Sequence, residues 1–211
     1  MACISALTDA IPDSKLLSVL LEESAARHKH LCPRQVLGVR IGLKGLQCLG
    51  FIGEDYQPRY RNANKHLLTI SETDGCGSDG IAVATDCAVG KRTLRVIDFG
   101  KVAATLIDIR DERAFRVAPS SSARAMAVRH EPNAESHWHA YLKAYQELPD
   151  HELIQVREVR LSRTISEILS KPSARAICSS CGEEIFNERE VIGSDRILCR
   201  SCAGEGYYSL C

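Results

Sequence analysis

The chain has 211 residues, 45% hydrophobic and 26% charged, with 27 basic against 27 acidic side chains; this composition suits a globular protein with one medium domain and a small extra module. No apolar run approaches the roughly 18 residues that span a bilayer, and the neutral balance gives no basic footprint for a nucleic-acid backbone. Residues 1–11 lack a basic n-region and carry Asp9, so no secretory signal is expected, and the ten cysteines read as reduced thiols of a cytoplasmic protein.

Asp13 or Ser14 can cap a helix whose apolar residues Leu16, Leu17, Leu20, Leu21 and Ala25 recur at helical spacing to about Arg27. The segment His28-Lys29-His30-Leu31-Cys32-Pro33 follows. Pro33 disfavours helix at Cys32 and suits the first position of a new helix, expected over residues 34–46. Gly38 and Gly42 stand one turn apart there and would admit another backbone, at a propensity cost of about 1 kcal/mol each. A loop is expected over 52–62. Strands are expected over 66–70, 94–97, 102–109, 114–118 and 153–161, and helices over 76–85, 120–129 and 135–148. Helices around several strands make this first domain, residues 1–162, α+β or α/β. Residues 163–175, with Pro172, read as a linker to a module at 176–211.

That module carries Cys178-x2-Cys181 and Cys199-x2-Cys202. Two residues between thiols let each turn aim both sulfurs at one tetrahedral ion, so the four cysteines predict a structural zinc. The segment has few apolar residues, and the metal would supply folding energy that burial cannot. Gly182 fits a turn needing positive φ. From residue 173 to the end there are four arginines and no lysine against five glutamates and one aspartate, net −2. Specific nucleic-acid binding is therefore not expected of this finger; protein contact or dimerisation is.

A second constellation lies in the first domain. Cys32 precedes the helix beginning at Pro33, and Cys76 precedes a short helix after a glycine turn, positions that favour thiolate. Cys87 is in a loop beside Gly90. His28 and His30 precede Cys32 at steps of two, so an extended chain aligns all three, whereas a continued helix aligns His28 with Cys32. Either geometry presents nitrogen and sulfur donors to a metal with an open coordination position. Asp79 can orient a histidine, act as a base or cap the helix, Glu72 and Asp74 are turn residues or carboxylates that support the ligands, and Lys91 and Lys101 can face the same site. Cys3 and Cys48 read as plain core or surface residues, Cys211 has no assigned role, and Trp138, between His137 and His139, is expected to dock a helix with the histidines exposed.

The blocks His28-x-His30-x-Cys32-Pro33-(x4)-Gly38-x-Arg40, Cys76-x2-Asp79-Gly80-Ile81, Cys87-x2-Gly90-Lys91 and Asp98-x-Gly100-Lys101-x-Ala103 resemble the FmdE family of formylmethanofuran dehydrogenase proteins over about residues 14–205. The resemblance implies an α+β domain with a thioredoxin-like mixed sheet flanked by helices, followed by a small treble-clef zinc finger. It also strengthens the second metal site, zinc or iron, with three or four ligands drawn from His28, His30, Cys32, Cys76 and Cys87. Four positions depart from the family pattern: Lys29 and Arg34 stand where glycines are usual, and Asp86 and Ala88 flank Cys87 where the pattern reads Gly-Cys-Thr.

The function this implies is that of a metal-binding accessory protein, homodimeric, associated with the other chains of a molybdenum or tungsten formylmethanofuran dehydrogenase. The alternatives are a zinc enzyme with an open metal site, for which Cys76 and Lys101 are the catalytic candidates, and a regulator whose finger resembles that of transcription factors contacting RNA polymerase. No membrane association is expected.

Overall fold

The Asp13 side chain starts the first helix by accepting the backbone N–H of Lys15 at 2.8 Å and of Leu16 at 3.0 Å, which satisfies two orphan donors of the first turn. Helix α1, Ser14–His28, buries Leu16, Leu17, Leu20 and Leu21 and stops where Lys29 turns left-handed at φ 65°. The structure, a computed structural model, describes residues 11–193 and 195–208; Cys3 and Cys211 lie outside the described residues. Two compact units divide between Leu161 and Ser162.

In the first unit, helix α2 runs Pro33–Leu49, three residues beyond its expected end, and closes at Gly50 with φ 74°. Strands β1 (Leu67–Ser71), β2 (Leu94–Val96), β3 (Ala104–Asp108), β4 (Ala114–Pro119) and β5 (Ile154–Glu158) form one mixed sheet in the order β2-β1-β3-β4-β5. Only the β1–β2 pair is parallel. Helices α3 (Gly77–Thr85), α4 (Ala123–His130) and α5 (His137–Glu147) lie where the sequence places helices. The single turn α6 (Asp150–Leu153), inserted before β5, has too few residues to show a period. Alternate strand residues such as Leu67, Leu106, Phe115, Val117 and Val156 join the core formed with α1, α2 and α3.

The contact between α2 and α3 is made by backbone. A Cβ added at Gly38 would lie 2.1 Å from the Gly77 carbonyl oxygen, and one at Gly80 would lie 2.3 Å from the Gln35 oxygen. At Gly42 the neighbour is the Ala84 Cβ, at 2.7 Å. The expected close approach at Gly38 and Gly42 is thus met by a second small-residue helix, and the two N-termini lie side by side as a result.

A buried charge network fixes α2 from its other side. Arg40, 1% exposed, donates to the Tyr145 and Leu148 carbonyls at 2.9 and 2.8 Å and to Asp150 Oδ1 at 2.9 Å. Lys44 Nζ lies 3.2 Å from Asp150 Oδ2, and the Tyr56 hydroxyl donates to the same oxygen. Burial, then the Asp150 charge, push the Tyr56 phenol above its ordinary range, so this hydroxyl stays a donor. The network ties the last turn of α5 to α2 and so holds Tyr145 in place.

The second unit opens with helix α7, Ile165–Leu169, started by a Thr164–Glu167 capping box. It falls inside the stretch read as linker, where five residues carry too little periodicity to reveal it. Strands β6 (Arg175–Ile177) and β7 (Glu184–Phe186) make one hairpin and β8 (Val191–Ile192) and β9 (Ile197–Leu198) another, followed by a helical turn at Ser201–Glu205. Among the described residues no helix is long and apolar enough to cross a membrane.

Candidate metal centres and the adjoining cavity

In the second unit Cys178 and Cys181 occupy the tip between β6 and β7, Cys199 directly follows β9, and Cys202 lies in the closing helical turn. The knuckle is closed by the Gly182 N–H donating to the Cys178 carbonyl at 2.9 Å, with Gly182 at φ 76° as its turn requires. The Ser179 N–H donates to the Ile197 carbonyl at 2.8 Å and joins the knuckle to β9. The four sulfurs lie within 4.8 Å of one another. Tetrahedral zinc with Zn–S near 2.3 Å needs sulfurs about 3.8 Å apart, and Cys181 and Cys199 are 4.0 Å apart, so the donor set fits a structural zinc. Backbone N–H groups of Cys181 and then Cys199 lower the Cys178 thiol to about 6, and the Cys199 N–H lies 3.3 Å from that sulfur. These donors favour the thiolate that a metal requires.

In the first unit the side-by-side N-termini of α2 and α3 bring the Cys32 and Cys76 sulfurs to 3.1 Å. Cys32 is the extended N-cap of α2, its N–H donating to Gln35 Oε1 at 2.8 Å. The expected lowering of the Cys76 thiol is not found. Burial, followed by the hydrogen bond and charge of Cys32, raises it, and the opposing influence of Arg34 is smaller.

The histidines take neither of the expected arrangements, because Lys29 turns the chain left-handed between them. His28 Nε2 lies 2.6 Å from Asp79 Oδ2, so Asp79 does orient a histidine, and the His28 and His30 rings are 6.2 Å apart. Cys87 departs from the group altogether. It follows the C-terminus of α3 while Cys76 precedes the N-terminus, and nine helical residues separate the two ends by about 14 Å. Its sulfur is buried against Asn62 Nδ2 and Thr69 Oγ1, each at 3.4 Å. Burial raises its thiol, as expected of a core cysteine. Among the described residues no third His, Cys, Asp or Glu ligand atom clusters with Cys32 and Cys76. Cys48 is buried.

The dithiol forms part of the wall of a cavity of about 1130 Å³. Arg34 and Leu37 of α2 continue that wall, and Asp74, Asp98 and Lys101 come from the loops after β1 and β2. Arg116, Ala118, Gln155 and Arg157 project from the sheet, since the β4–β5 register sets Arg116 opposite Arg157 and Ala118 opposite Gln155. More of the wall comes from Ser120, Ser121 and Arg124 at the start of α4 and from Trp138, Tyr141 and Tyr145 of α5. Trp138 therefore lines the cavity, 44% exposed, instead of docking a helix. Glu72 holds Arg116 through two bonds of 2.6 and 2.7 Å. Lys91 pairs with Asp86 at 3.1 Å and is not among the lining residues. The cations of β4, α4 and β5 carry no local motif; only the sheet register and the folding-back of α4 and α5 bring them to the thiols.

A five-stranded mixed sheet carrying a two-thiol cavity, together with a separate four-cysteine unit, defines a two-part, metal-binding α/β protein. Residues 27–155 match the family described as “FmdE, Molybdenum formylmethanofuran dehydrogenase operon”, and the chain belongs to that family. Residues 173–208 match the “Prokaryotic dksA/traR C4-type zinc finger”. The chain is similar, at 29% identity over 94% of its length, to a “Probable S-adenosyl-L-methionine-binding protein” of Archaeoglobus fulgidus, and it spans 56% of that protein's length. Its fold is similar to a crystal structure of a “tungsten formylmethanofuran dehydrogenase subunit e (fmde)-like protein” from Syntrophus aciditrophicus, with a TM-score of 0.54 and 22% identity over 92% of this chain and 95% of that one.

Two of the departures from the family pattern fall on left-handed residues: Lys29 has φ 65° and Asp86 has φ 49°. Glycine enters that region without strain, whereas a side chain there costs about 1 kcal/mol. Asp86 is offset by use, since it accepts the Asn62 N–H at 3.0 Å as well as pairing with Lys91.

Proposed function

We propose that this protein is a cytoplasmic accessory factor in which Cys32 and Cys76 would hold a thiophilic divalent metal, zinc or iron, beside a ligand cavity, while the finger contacts a protein partner. The observation carrying this reading is the pair of thiols 3.1 Å apart on the wall of a solvent-reached cavity. The pair must open to the roughly 3.8 Å bite of a tetrahedral ion, a motion within reach of side-chain rotation at two helix starts. With two protein donors the remaining positions fall to exogenous ligands, among which the cavity selects. Family membership supports association with a molybdenum or tungsten formylmethanofuran dehydrogenase, and a homodimer is part of the same proposal. The finger's acidic balance supports protein contact over nucleic acid.

Cobalt titration under reducing conditions tests the reading. The wild-type chain should take up two ions with thiolate-to-cobalt absorption, and Cys32→Ser/Cys76→Ser should lose one while keeping that of the finger. One ion in both proteins refutes it. An enzyme is the second reading, favoured by Cys76 and Lys101 lining the same cavity: a bound metal would supply an activated water, and Lys101 would hold developing negative charge. The relative's name brings S-adenosylmethionine forward as an occupant, but a sulfonium meets a cavity already rich in cations.

A further inference from the structure

We infer that the cavity beside the thiols is a binding site for an anion that carries a planar ring, its charge supplied by phosphate or carboxylate. This goes beyond the metal reading and does not depend on it. Arg34, Lys101, Arg124 and Arg157 line the cavity, and no carboxylate among the described residues forms an ion pair with any of them. Arg116 is neutralised by Glu72, which leaves Asp74 and Asp98 as the cavity's only other charges among the described residues. Four cations against two anions give an excess of two positive charges.

The sheet sharpens the argument. Arg116 and Arg157 are direct cross-strand partners, an arrangement that repels unless an anion lies between or beside the pair. Glu72 serves Arg116, and Arg157 is left to a ligand. The starts of α2 and α4 open onto the same space, adding the positive ends of two helix dipoles. The ring is called for by α5: Trp138 and Tyr141 present aromatic surface to the cavity, and Tyr141 stacks on Tyr145 with ring planes 5° apart and centroids at 5.7 Å. A planar ring can extend that stack while its charged groups reach the arginines.

Trp138 is the chain's one tryptophan, so its fluorescence reports occupancy of this cavity. The full-length protein is titrated with ADP, adenosine, pyrophosphate and p-aminobenzoylglutamate, with calorimetry alongside. ADP or p-aminobenzoylglutamate should bind at least about tenfold more tightly than adenosine or pyrophosphate, as one good charge-assisted contact predicts, and should weaken steeply with added salt. Whichever of the two binds more tightly identifies phosphate or carboxylate as the charged group. Arg124→Gln and Arg157→Gln, both exposed and therefore neutral for folding, should each cost about fivefold or more for the ring anion and leave adenosine unchanged. Equal affinity for adenosine and ADP overturns the inference, as does the absence of saturable binding by both ring anions at millimolar concentration. Salt-insensitive binding overturns it too. Running the titration on Cys32→Ser/Cys76→Ser separates it from the metal reading: retained ring-anion binding supports the inference whatever becomes of the second ion, and its loss there shows that the thiols, not the cations, hold the ligand.

Discussion

Replacing Gly38 by alanine should destabilise the first unit, although the same exchange in an exposed helix would gain about 1 kcal/mol in propensity. The new Cβ would sit 2.1 Å from the Gly77 oxygen and 3.0 Å from the Ile81 nitrogen, both backbone atoms of α3. An ordinary carbon–oxygen contact is at least about 3.3 Å, so α2 and α3 must part by roughly 1 Å along this seam, a gap that forfeits a quarter to a half of the dispersion attraction across it. Overpacking of this kind costs about 1–3 kcal/mol; because backbone cannot rotate away, the upper end applies, and the net loss after propensity is about 2 kcal/mol. Urea unfolding followed by Trp138 should show a midpoint lowered by about 1 M, given slopes near 1–3 kcal/mol/M. Gly45→Ala is the internal comparison. The three atoms nearest its Cβ would all belong to the Leu106 side chain, the first at 2.5 Å, which can change rotamer, so its midpoint should fall less. A Gly38→Ala midpoint equal to or above wild type would refute the backbone contact, and with it the explanation of why the two thiols meet.

Asp150→Asn removes the countercharge of buried Arg40 and Lys44 and should cost about 3–5 kcal/mol; a loss under about 1 kcal/mol in the same unfolding assay would show that the network is not closed as described. Lys29→Gly relieves a left-handed lysine and should stabilise the first unit by up to about 1 kcal/mol, with a lowered midpoint as the contrary result. Cys199→Ser should unfold the second unit while leaving Trp138 emission as it is, because that unit has few buried side chains and depends on its metal. Protease resistance of residues 176–204 after chelation would contradict this.

What was legible in the sequence is what rests on local chemistry. Asp13 and Pro33 mark helix starts, and the two Cys-x2-Cys pairs define a tetrahedral site, because each signal acts within a few residues. Gly38 and Gly42 announced a close approach but could not say to what; the partner, Gly77 and Gly80, lies some forty residues on. Cys87 misled because a spacing of eleven from Cys76 looks near in sequence, while a helix sets the two at its opposite ends. The arginines of β4, α4 and β5 gave no signal at all. Each is an ordinary surface cation in its own segment, and only strand register makes Arg116 and Arg157 neighbours.

The seam between α2 and α3 also bears on how the cavity can move. Backbone pressed on backbone at Gly38 and again at Gly80 leaves no side chains to repack, so these helices cannot slide or roll past one another by small rotamer changes. The thiol wall is thus a fixed anvil. The opposite wall is built differently: α4 buries only Ala123 and Ala127, and α5 only Ala140, Ala144 and Tyr145. Arg40 pins the last turn of α5 to α2, and the thinly anchored remainder of the pair can pivot about that end at low cost. Closure around an occupant should therefore be one-sided, with α4 and α5 carrying Arg124 and Trp138 toward a stationary pair of sulfurs.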